Sequence, residues 1–566
     1  MYKLKNNFII LLTLALTVVI SCQDLDEINI NPNGVDPATA DLNLLMPTII
    51  TSVSKTVNNL GFGDLAGVMQ HTQYDGWSSS HNDYDWDNAS KSWSGYYGIL
   101  RNNDEFYNKA VAGGYQFHEG VALIMKSYTI GLITDLWGDA PMSEALKAED
   151  GVGNFKPKFD DQEAIYMQIL ADLETANTLL SKGSSSYKNI DPVQDVLYGG
   201  DVSKWRKFAN SLALRYYMRL SKKLPNVAKN GISKISNDPG KYPLITDVSD
   251  DANIGYFGTS PSDSWPSNTV FDTSTSGEYM RTKMCSTLVE VMQDFDDPRL
   301  GVWANKIDFP LELVDGTGID NRVVTDTINK GSDSEREIGK RYISQDVIDE
   351  KYSDATGVQP DYDPEYVGIP PSFLLASVYN VNPNLEQGVY NPHASQLNDM
   401  YREKTGNLLQ MRIMSAAEVH FILSEAALYG WAAGSPEGHY AAGIQQSMNA
   451  WGVGNKADDY ITGTPYSGLE SIIEQKWIAS WTAAAEAWFD YRRTGLPDLQ
   501  TGESAVRQAL PLRFYYHFDD EISLNRENAE AAIDKLVPTQ YKGNDISNNS
   551  AWSKMWLLQG TGLPYD

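Results

Sequence analysis

The sequence predicts a mainly α-helical protein in which one large globular unit carries long irregular loops. Four segments repeat apolar residues at the spacing of an amphipathic helix, at about 160–180, 204–222, 412–430 and 470–490. Long stretches rich in Gly, Ser, Asp, Asn and Pro separate these segments. The chain lacks the alternating strand and helix units that are typical of a periplasmic solute receptor. A single helical body with inserted loops is therefore the expected architecture.

The N-terminal end has the pattern of a signal peptide followed by a lipid attachment site. Lys3 and Lys5 precede an uncharged run at 8–20, which is short for a membrane span of about 18 residues or more. The motif VISC, which ends at Cys22, is similar to a bacterial lipobox. A retained N-terminal membrane anchor is the alternative, but no stop-transfer pattern follows. We expect a signal peptide at 1–21, a lipid on Cys22, an acidic turn-rich tether at 22–40 and one helical domain at 41–566.

Charge and cysteine content narrow the possible functions. The 566 residues include 45 Lys and Arg against 74 Asp and Glu, a net charge of −29. Loss of Lys3 and Lys5 with the signal peptide changes this value from −29 to −31. Such a charge argues against binding to nucleic acid, which requires neutralisation of phosphates by basic residues. The only cysteines are Cys22 and Cys285, so lipidation of the first leaves the second free and no disulfide is expected.

The four predicted helices have faces suited to packing against one another. Large and small residues alternate on these faces, as stacked helix pairs require. In the first helix Asp160 and Glu163 also have the spacing of a capping box. The apolar stripes contain Ile165, Ile169, Leu173, Ala176 and Leu180; Trp205, Phe208, Leu212 and Tyr216; Ala416, Val419, Leu423, Ala426 and Ala427; and Ile473, Trp477, Trp481, Ala484 and Trp488.

The long irregular stretches, at about 71–92, 223–280 and 305–410, are the predicted ligand-binding regions. Loops of this length inside a compact protein are uncommon and are often functional. Aromatic rings in these polar stretches have no amphipathic stripe to explain them, although they could simply anchor the loops. The predicted ligand-binding residues are Trp77, Trp86, Trp265, Tyr74 and Tyr84.

One acidic segment has the spacing of a calcium loop. Asp83, Asp85 and Asp87 alternate with aromatic residues, as the first calcium ligands of an EF-hand alternate with other residues. However, position six of the loop is Asn88 instead of Gly, and position twelve is Ser94 instead of Glu. Calcium binding and a plain solvated acidic loop both remain open at this point, and no other cofactor is expected.

Common catalytic signatures are missing from the sequence. It contains no phosphate-binding P-loop, no H-E-x-x-H zinc motif and no G-x-S-x-G nucleophile motif. The seven histidines are dispersed, and His420 is expected to be a satisfied core or boundary residue. A pair of acids for glycoside hydrolysis could be chosen from many candidates, so no particular pair is informative.

The chain resembles the SusD/RagB family of outer-membrane nutrient-binding lipoproteins, in its SusD-like subgroup. The matching stretches follow the lipobox in family order across nearly the whole mature chain. They are IMKSYTIGLITDLWGDAPMSEAL (124–146), FDDQEAIYMQILADLETAN (159–177), GDVSKWRKFANSLALRYYMRLS (200–221), AAEVHFILSEAALYGW (416–431), QKWIASWTAAAEAWFDYRRTGLPDL (475–499) and PLRFYYHFDDEISLN (511–525).

The resemblance implies a non-catalytic lipoprotein at the cell surface, anchored in the outer membrane. It implies a body of four tetratricopeptide-like helix pairs and a SusC-like TonB-dependent transporter as partner, to which captured nutrients are delivered. The ligands of such proteins are usually oligosaccharides and in some members peptides. A surface glycoside hydrolase is the alternative from another class. We expect the matched segments 137–139 and 488–493 to belong to the scaffold, with Arg492 and Arg493 pairing with acids or capping carbonyls.

Overall fold

The computed structural model describes residues 41–565 except 77–78, 87–90, 275, 331–332, 353–358, 375, 384–389, 519–521 and 546. The predicted signal peptide, Cys22 and the tether lie outside these residues, as do Trp77 and Asp87. Within the described part, no helix combines the length and the apolar character that a membrane crossing needs.

Helices form most of the regular structure in this part of the chain. They are α1 (Leu42–Phe62), α2 (Asp64–Val68), α3 (Ser94–Gly113), α4 (Gln116–Trp137), α5 (Gln162–Leu179), α6 (Val202–Arg219), α7 (Pro225–Asn237), α8 (Glu278–Arg281), α9 (Ser286–Asp294), α10 (Leu300–Trp303), α11 (Gln345–Tyr352), α12 (Ala416–Leu428), α13 (Pro436–Ala450), α14 (Ala457–Gly463), α15 (Leu469–Ala479), α16 (Ala484–Thr494) and α17 (Arg526–Asp534). The predicted mainly α-helical fold class is confirmed.

The strands are short apart from one hairpin. They are β1 (Thr72–Tyr74), β2 (Ala252–Gly255), β3 (Thr282–Met284), β4 (Leu311–Leu313), β5 (Asp320–Lys330), β6 (Asp333–Ile343), β7 (Gln410–Met414), β8 (Val537–Pro538) and β9 (Ser553–Lys554). Antiparallel pairs join β1 to β3, β2 to β7, β5 to β6 and β8 to β9, while β4 lies parallel to β6. The ribbon of β1 and β3 and the ribbon of β2 and β7 connect segments that are distant in sequence.

Pairs of consecutive helices build the scaffold, as the tetratricopeptide-like expectation requires. Helices α3 and α4, α5 and α6, α12 and α13, and α15 and α16 pack as neighbours within the described residues. The pairs contact one another through α4 with α5, α6 with α12, and α12 with α15. The predicted apolar stripe of α5 is buried, including Leu173. The core therefore runs along the stacked faces that the sequence predicts.

The start of α5 differs from the capping box expected there. Asp160 does not cap the helix, because its carboxylate accepts hydrogen bonds from the backbone N–H groups of Met142 (2.9 Å) and Ser143 (2.7 Å). The residue at the N-cap is Asp161, whose side chain makes no capping bond. The Asp160 carboxylate, which the local spacing predicted to cap α5, therefore binds the preceding loop instead.

The segment predicted as one helix at 470–490 is two helices. Between α15 and α16 the chain turns at 480–483, and Thr482 adopts a positive φ of 66°. Gly61 at the end of α1 packs against this turn, since a Cβ there would lie only 2.9 Å from the Cα of Ala483. The break in the helix lets the end of α1 approach the backbone of the turn.

Two of the stretches predicted to be irregular contain regular structure. Helix α7 lies within 223–280 and buries Ala228, Ile232 and Ile235, a stripe that its polar composition concealed. The hairpin of β5 and β6 and helix α11 lie within 305–410. The prediction of loops throughout these ranges is therefore wrong for these segments.

A buried network of charged side chains, called here the charged seam, crosses the scaffold. Arg215 forms a bidentate pair with Glu418 at 2.7 and 2.6 Å. Arg219 lies 2.6 Å from Glu486, and Lys476 lies 2.6 Å from Asp490. The seam consists of Asp135 on α4, Arg215 and Arg219 on α6, Glu418 and Glu425 on α12, Lys476 on α15, and Glu486, Asp490, Arg492 and Arg493 on α16.

The arginines at the end of α16 behave as the sequence predicts. Arg492 donates to the backbone oxygens of Asp135 (2.8 Å) and Leu512 (2.7 Å). Arg493 pairs with Glu425 at 2.7 Å and with Asp490 at 2.9 Å. Both guanidinium groups are buried, so these matched residues hold the scaffold together.

Candidate ligand-binding surface

The predicted loop at 71–92 is fixed to the rest of the molecule by the ribbon of β1 and β3, in which Gln73 lies opposite Lys283. Lys283 is buried, and its amino group donates to Gln396 at 2.6 Å and lies 3.6 Å from the Asp75 carboxylate. Ser372 donates its backbone N–H to the Gln73 side chain. Such a satisfied polar network gives the described residues around Gln73 and Asp75 a defined conformation.

Three of the five predicted ligand-binding rings are part of the core. Trp86 and Trp265 expose 1% and 0% of their surface, and Tyr84 is also fully buried. The Trp86 ring lies 5.0 Å from Phe514, and the Trp265 ring lies 5.1 Å from Phe62. The prediction that these rings face a ligand is corrected, because a ring enclosed by side chains has no face for a sugar to stack on.

Tyr74 is partly exposed and lies among charged groups. Its hydroxyl donates to the Glu278 carboxylate, and the Arg281 guanidinium lies 4.9 Å from its ring centre. Burial, and then the neighbouring Glu278 charge, raise the pKa of Tyr74. The Tyr74 hydroxyl therefore stays protonated and oriented, and a cation, an anion and an aromatic ring meet at this point.

A tight turn displays Phe257 on the surface. Gly258 has a φ of 70°, and Asp263 accepts hydrogen bonds from the backbone N–H groups of Thr259 and Ser260, both at 2.7 Å. The hydrogen bond from the Thr259 hydroxyl, followed by that from the Ser260 N–H, lowers the pKa of Asp263, so the carboxylate holds the turn in its ionised form. Phe257 remains 62% exposed on this fixed backbone.

Phe271 forms a second exposed ring nearby. The segment before it is fixed by a hydrogen bond from the Thr269 N–H to the Arg402 oxygen (2.9 Å) and by the buried side chain of Asn268, which accepts from the Phe271 N–H (2.9 Å). Phe271 is 38% exposed. The Lys404 amino group lies 5.8 Å from its ring centre, within the range of a cation–π contact.

Lys404 connects the two phenylalanines into one surface. A Cβ at Gly258 would lie 3.3 Å from two carbons of the Lys404 stem, so the backbone that carries Phe257 touches this side chain. Asp272, which follows Phe271, accepts from the Glu278 N–H at 3.3 Å and so links the phenylalanines to Tyr74. We call this surface the aromatic platform; it comprises Tyr74, Phe257, Phe271, Asp272, Glu278, Arg281 and Lys404.

The aromatic platform can make two kinds of contact at once. Its phenylalanine rings offer apolar faces, while Lys404 and Arg281 supply donors and Asp272 and Glu278 supply acceptors. Sequence reasoning selected Tyr74, which belongs to the platform, together with Tyr84 and three tryptophans, and it missed Phe257 and Phe271. The signal that could have found Phe257 is its position directly before the turn residues GTSPSD at 258–263.

The predicted calcium loop has one ligand outside the described residues, Asp87, so calcium binding stays a prediction. Burial raises the pKa of Asp83 to about 6, and the Ser372 hydroxyl donates to it at 3.4 Å. Over the ranges that the structure describes, no group of three or more His, Cys, Asp or Glu side chains is placed to hold a metal.

A small cavity in the scaffold does not offer an alternative site for a nutrient. It has a volume of about 40 Å³ and is lined by Arg412 and by members of the charged seam such as Glu418, Lys476 and Glu486. This volume accommodates a few water molecules at most and no sugar ring. This cavity is therefore too small to hold a nutrient molecule.

The chain matches one family model over most of its length. A family model described as "Starch-binding associating with outer membrane", of SusD-like type, matches residues 32–329 and 366–517. No curated protein matches the chain.

Several solved structures share the fold. A chitin-binding protein superposes with a TM-score of 0.67 at 22% identity, covering 92% of this chain and 99% of its own. A SusD homologue from Bacteroides fragilis has a TM-score of 0.65 at 20% identity, covering 92% and 99%. A chitin-binding SusD homologue from Flavobacterium johnsoniae has a TM-score of 0.64 at 19% identity, covering 91% and 99%. At these identities the superpositions establish the architecture alone.

Proposed function

The chain belongs to the SusD-like family, and we propose that it captures oligosaccharides at the cell surface and delivers them to a SusC-like TonB-dependent transporter. The family description associates its members with the outer membrane and with starch, and two structural neighbours are named as chitin-binding. These descriptions favour a glycan over other nutrients.

The observation that carries the proposal is the exposure of Phe257 and Phe271 on fixed backbone. Large apolar rings held at a polar surface mark interaction sites more often than single scattered ones do. Sugar rings present apolar C–H faces that stack on such rings, and their hydroxyls need the donors and acceptors that surround them here. Because the turn at 258–263 holds Phe257, and the hydrogen bonds of Thr269 and Asn268 hold the segment of Phe271, little ordering is needed when a ligand binds.

We propose binding without catalysis. A glycoside hydrolase needs two carboxyl groups about 5–9.5 Å apart on either side of the scissile bond. On the aromatic platform the Asp272 carboxylate accepts from the Glu278 N–H, and the Glu278 carboxylate accepts from the Tyr74 hydroxyl, so both acids are engaged in contacts within the protein. Incubation of the purified protein with starch or chitin oligosaccharides, followed by an assay for new reducing ends, separates the two functions, since their release would establish hydrolysis.

Removal of the platform rings should weaken ligand binding. We expect Phe257→Ala and Phe271→Ala each to cost about 2 kcal/mol in binding, or roughly thirtyfold in affinity, because each removes a stacking face. The measurement is calorimetric titration with a panel of chitin and starch oligosaccharides. Trp77→Ala belongs in the same series, because Trp77 remains a predicted contact.

Phe155→Ala is the matched control for this series. Phe155 is another exposed phenylalanine, 52% exposed, and it lies on the separate loop at 146–158. Its removal should leave the affinity unchanged. Equal affinities for the wild type, Phe257→Ala and Phe271→Ala would place the ligand elsewhere and refute the platform assignment.

Peptide capture is a second candidate function, favoured by the acidic groups of the platform. Asp272 and Glu278 would attract a cationic peptide, as would the charge of −31 that the chain has after loss of Lys3 and Lys5. The same variants can be titrated with lysine- and arginine-rich peptides. Binding that requires the phenylalanines and is lost at high salt would support the peptide function instead.

Attachment to the membrane should depend on Cys22. We expect Cys22→Ala to move the protein from the membrane fraction to the soluble fraction, because the lipobox thiol is the proposed site of the lipid. Circular dichroism should be unchanged, since the described helical body starts only at α1. A Cys22→Ala protein that still sediments with membranes in detergent-free extracts would contradict the proposed anchor.

A further inference from the structure

Two histidines that are separated in sequence face each other between α12 and α13. The Nδ1 atoms of His420 and His439 lie 3.3 Å apart, and both side chains are partly exposed. Each ring uses its other nitrogen on a backbone carbonyl. His420 Nε2 lies 3.0 Å from the Thr246 oxygen, and His439 Nε2 lies 3.0 Å from the Ala433 oxygen.

These contacts fix the protonation pattern of the pair. A carbonyl oxygen only accepts hydrogen bonds, so each Nε2 must carry a proton to bond to it. Two neutral imidazoles carry two protons in total, and both are then used on the carbonyls. The two Nδ1 atoms therefore present lone pairs to each other, an arrangement that is repulsive unless a cation, either a shared proton or a metal ion, lies between them.

The geometry points to a divalent metal ion as that cation, and we propose that His420 and His439 form a site for a first-row ion such as Zn²⁺. Imidazole nitrogens lie about 2.0–2.1 Å from zinc, so two of them on a tetrahedral ion are about 3.3–3.4 Å apart. The observed separation of 3.3 Å corresponds to this value. Histidine ligands of metals also donate their second ring nitrogen to a carbonyl or carboxylate, as both rings do here.

The protein supplies two ligands to this site, and water completes the coordination. Both rings are partly exposed, so water can reach the ion. The ion would join α12 to α13 and to the backbone near Thr246. The Ala433 contact also depends on close packing, since a Cβ at Gly434 would lie 2.7 Å from His439 Nε2.

The test is zinc titration of the full chain, purified in detergent without a histidine tag and stripped with a chelator. We expect one Zn²⁺ per chain and a melting temperature that rises with zinc concentration. His420→Ala and His439→Ala should each weaken zinc binding by about tenfold or more. Replacement of a residue that only hydrogen-bonds to a metal ligand already costs about that much, and loss of the ligand itself should cost at least as much. His517→Ala, which removes a histidine far along the chain, should bind zinc like the wild type.

Two further measurements test whether the variants remain folded and whether the bound metal has nitrogen ligands. Circular dichroism of metal-free His420→Ala and His439→Ala should match the wild type, and Cu²⁺ bound to the wild type should show nitrogen couplings in its paramagnetic resonance spectrum. Zinc binding that survives both substitutions would show an adventitious ion on the acidic surface and overturn the proposal. The absence of zinc binding would also overturn the proposal, and titration of the two rings as a single group would then identify a shared proton.

Discussion

Arg493→Ala should lower the free energy of unfolding by about 3–5 kcal/mol, the usual cost of removing one partner from a buried ion pair. Arg493 is fully enclosed at the end of α16 and contacts both Glu425 and Asp490. Without it, Glu425 would be buried without its cation. Burial tends to raise the pKa of Asp490, but Lys476 and Arg493 hold that pKa well below its usual value. The substitution therefore removes a charge on which two carboxylates depend.

Denaturant unfolding followed by circular dichroism measures this effect. The control is Arg526→Ala, which breaks an exposed pair with Glu530 at 3.5 Å and should change stability by less than about 0.5 kcal/mol. A loss below about 1 kcal/mol for Arg493→Ala would mean that water enters the charged seam and solvates the exposed carboxylates.

Trp265→Ala should destabilise the protein by about 3–5 kcal/mol and act on ligand binding only through folding. The ring packs 5.1 Å from Phe62 and 5.4 Å from Tyr401, and its Nε1 donates to the Ser267 hydroxyl at 2.9 Å. Its removal leaves a cavity between α1 and the segment that carries the platform.

The comparison with Phe257→Ala distinguishes scaffold from site. Phe257 is exposed, so its removal should change the free energy of unfolding by about 0.5 kcal/mol or less while weakening binding. The free energy of unfolding and the ligand affinity should be measured for both variants. If the assignments are correct, Trp265→Ala mainly loses stability and Phe257→Ala mainly loses affinity. A Trp265→Ala protein of normal stability that fails to bind would restore this tryptophan as a ligand contact.

The helical scaffold was predictable from local patterns, because residues such as Leu173 and Trp488 occupy positions set by helical periodicity. Local patterns did not predict the features of the structure that depend on tertiary contacts. The break between α15 and α16 exists where α1 approaches closely at Gly61, and no feature near residue 480 reveals that neighbour. In the same way, Asp160 bonds to the loop before α5 and so does not cap the helix.

The candidate site was less predictable, because side-chain exposure is not encoded in local composition. Trp86 and Trp265 stand in polar stretches, yet the fold covers them, whereas Phe257 is left at the surface by a turn. His420 and His439 appear unrelated in the sequence and meet only because α12 and α13 pack together. Pairing of distant residues of this kind requires the fold to be known.

The charged seam has a consequence for the order in which the chain can fold. Glu418 lies 203 positions after its partner Arg215, and Glu486 lies 267 positions after Arg219. While the chain is synthesised or exported from its N-terminus, α6 therefore exists for a long interval with Asp135 already present to pair with Arg219 but without Glu418 and Glu486. Folding that depends on such distant contacts is slow. Until these contacts form, the segment that contains α6 exposes apolar surface and is prone to aggregation. A chain that ends before α16 could therefore not complete its fold. Folding chaperones would be needed most in the interval before α15 and α16 have been synthesised.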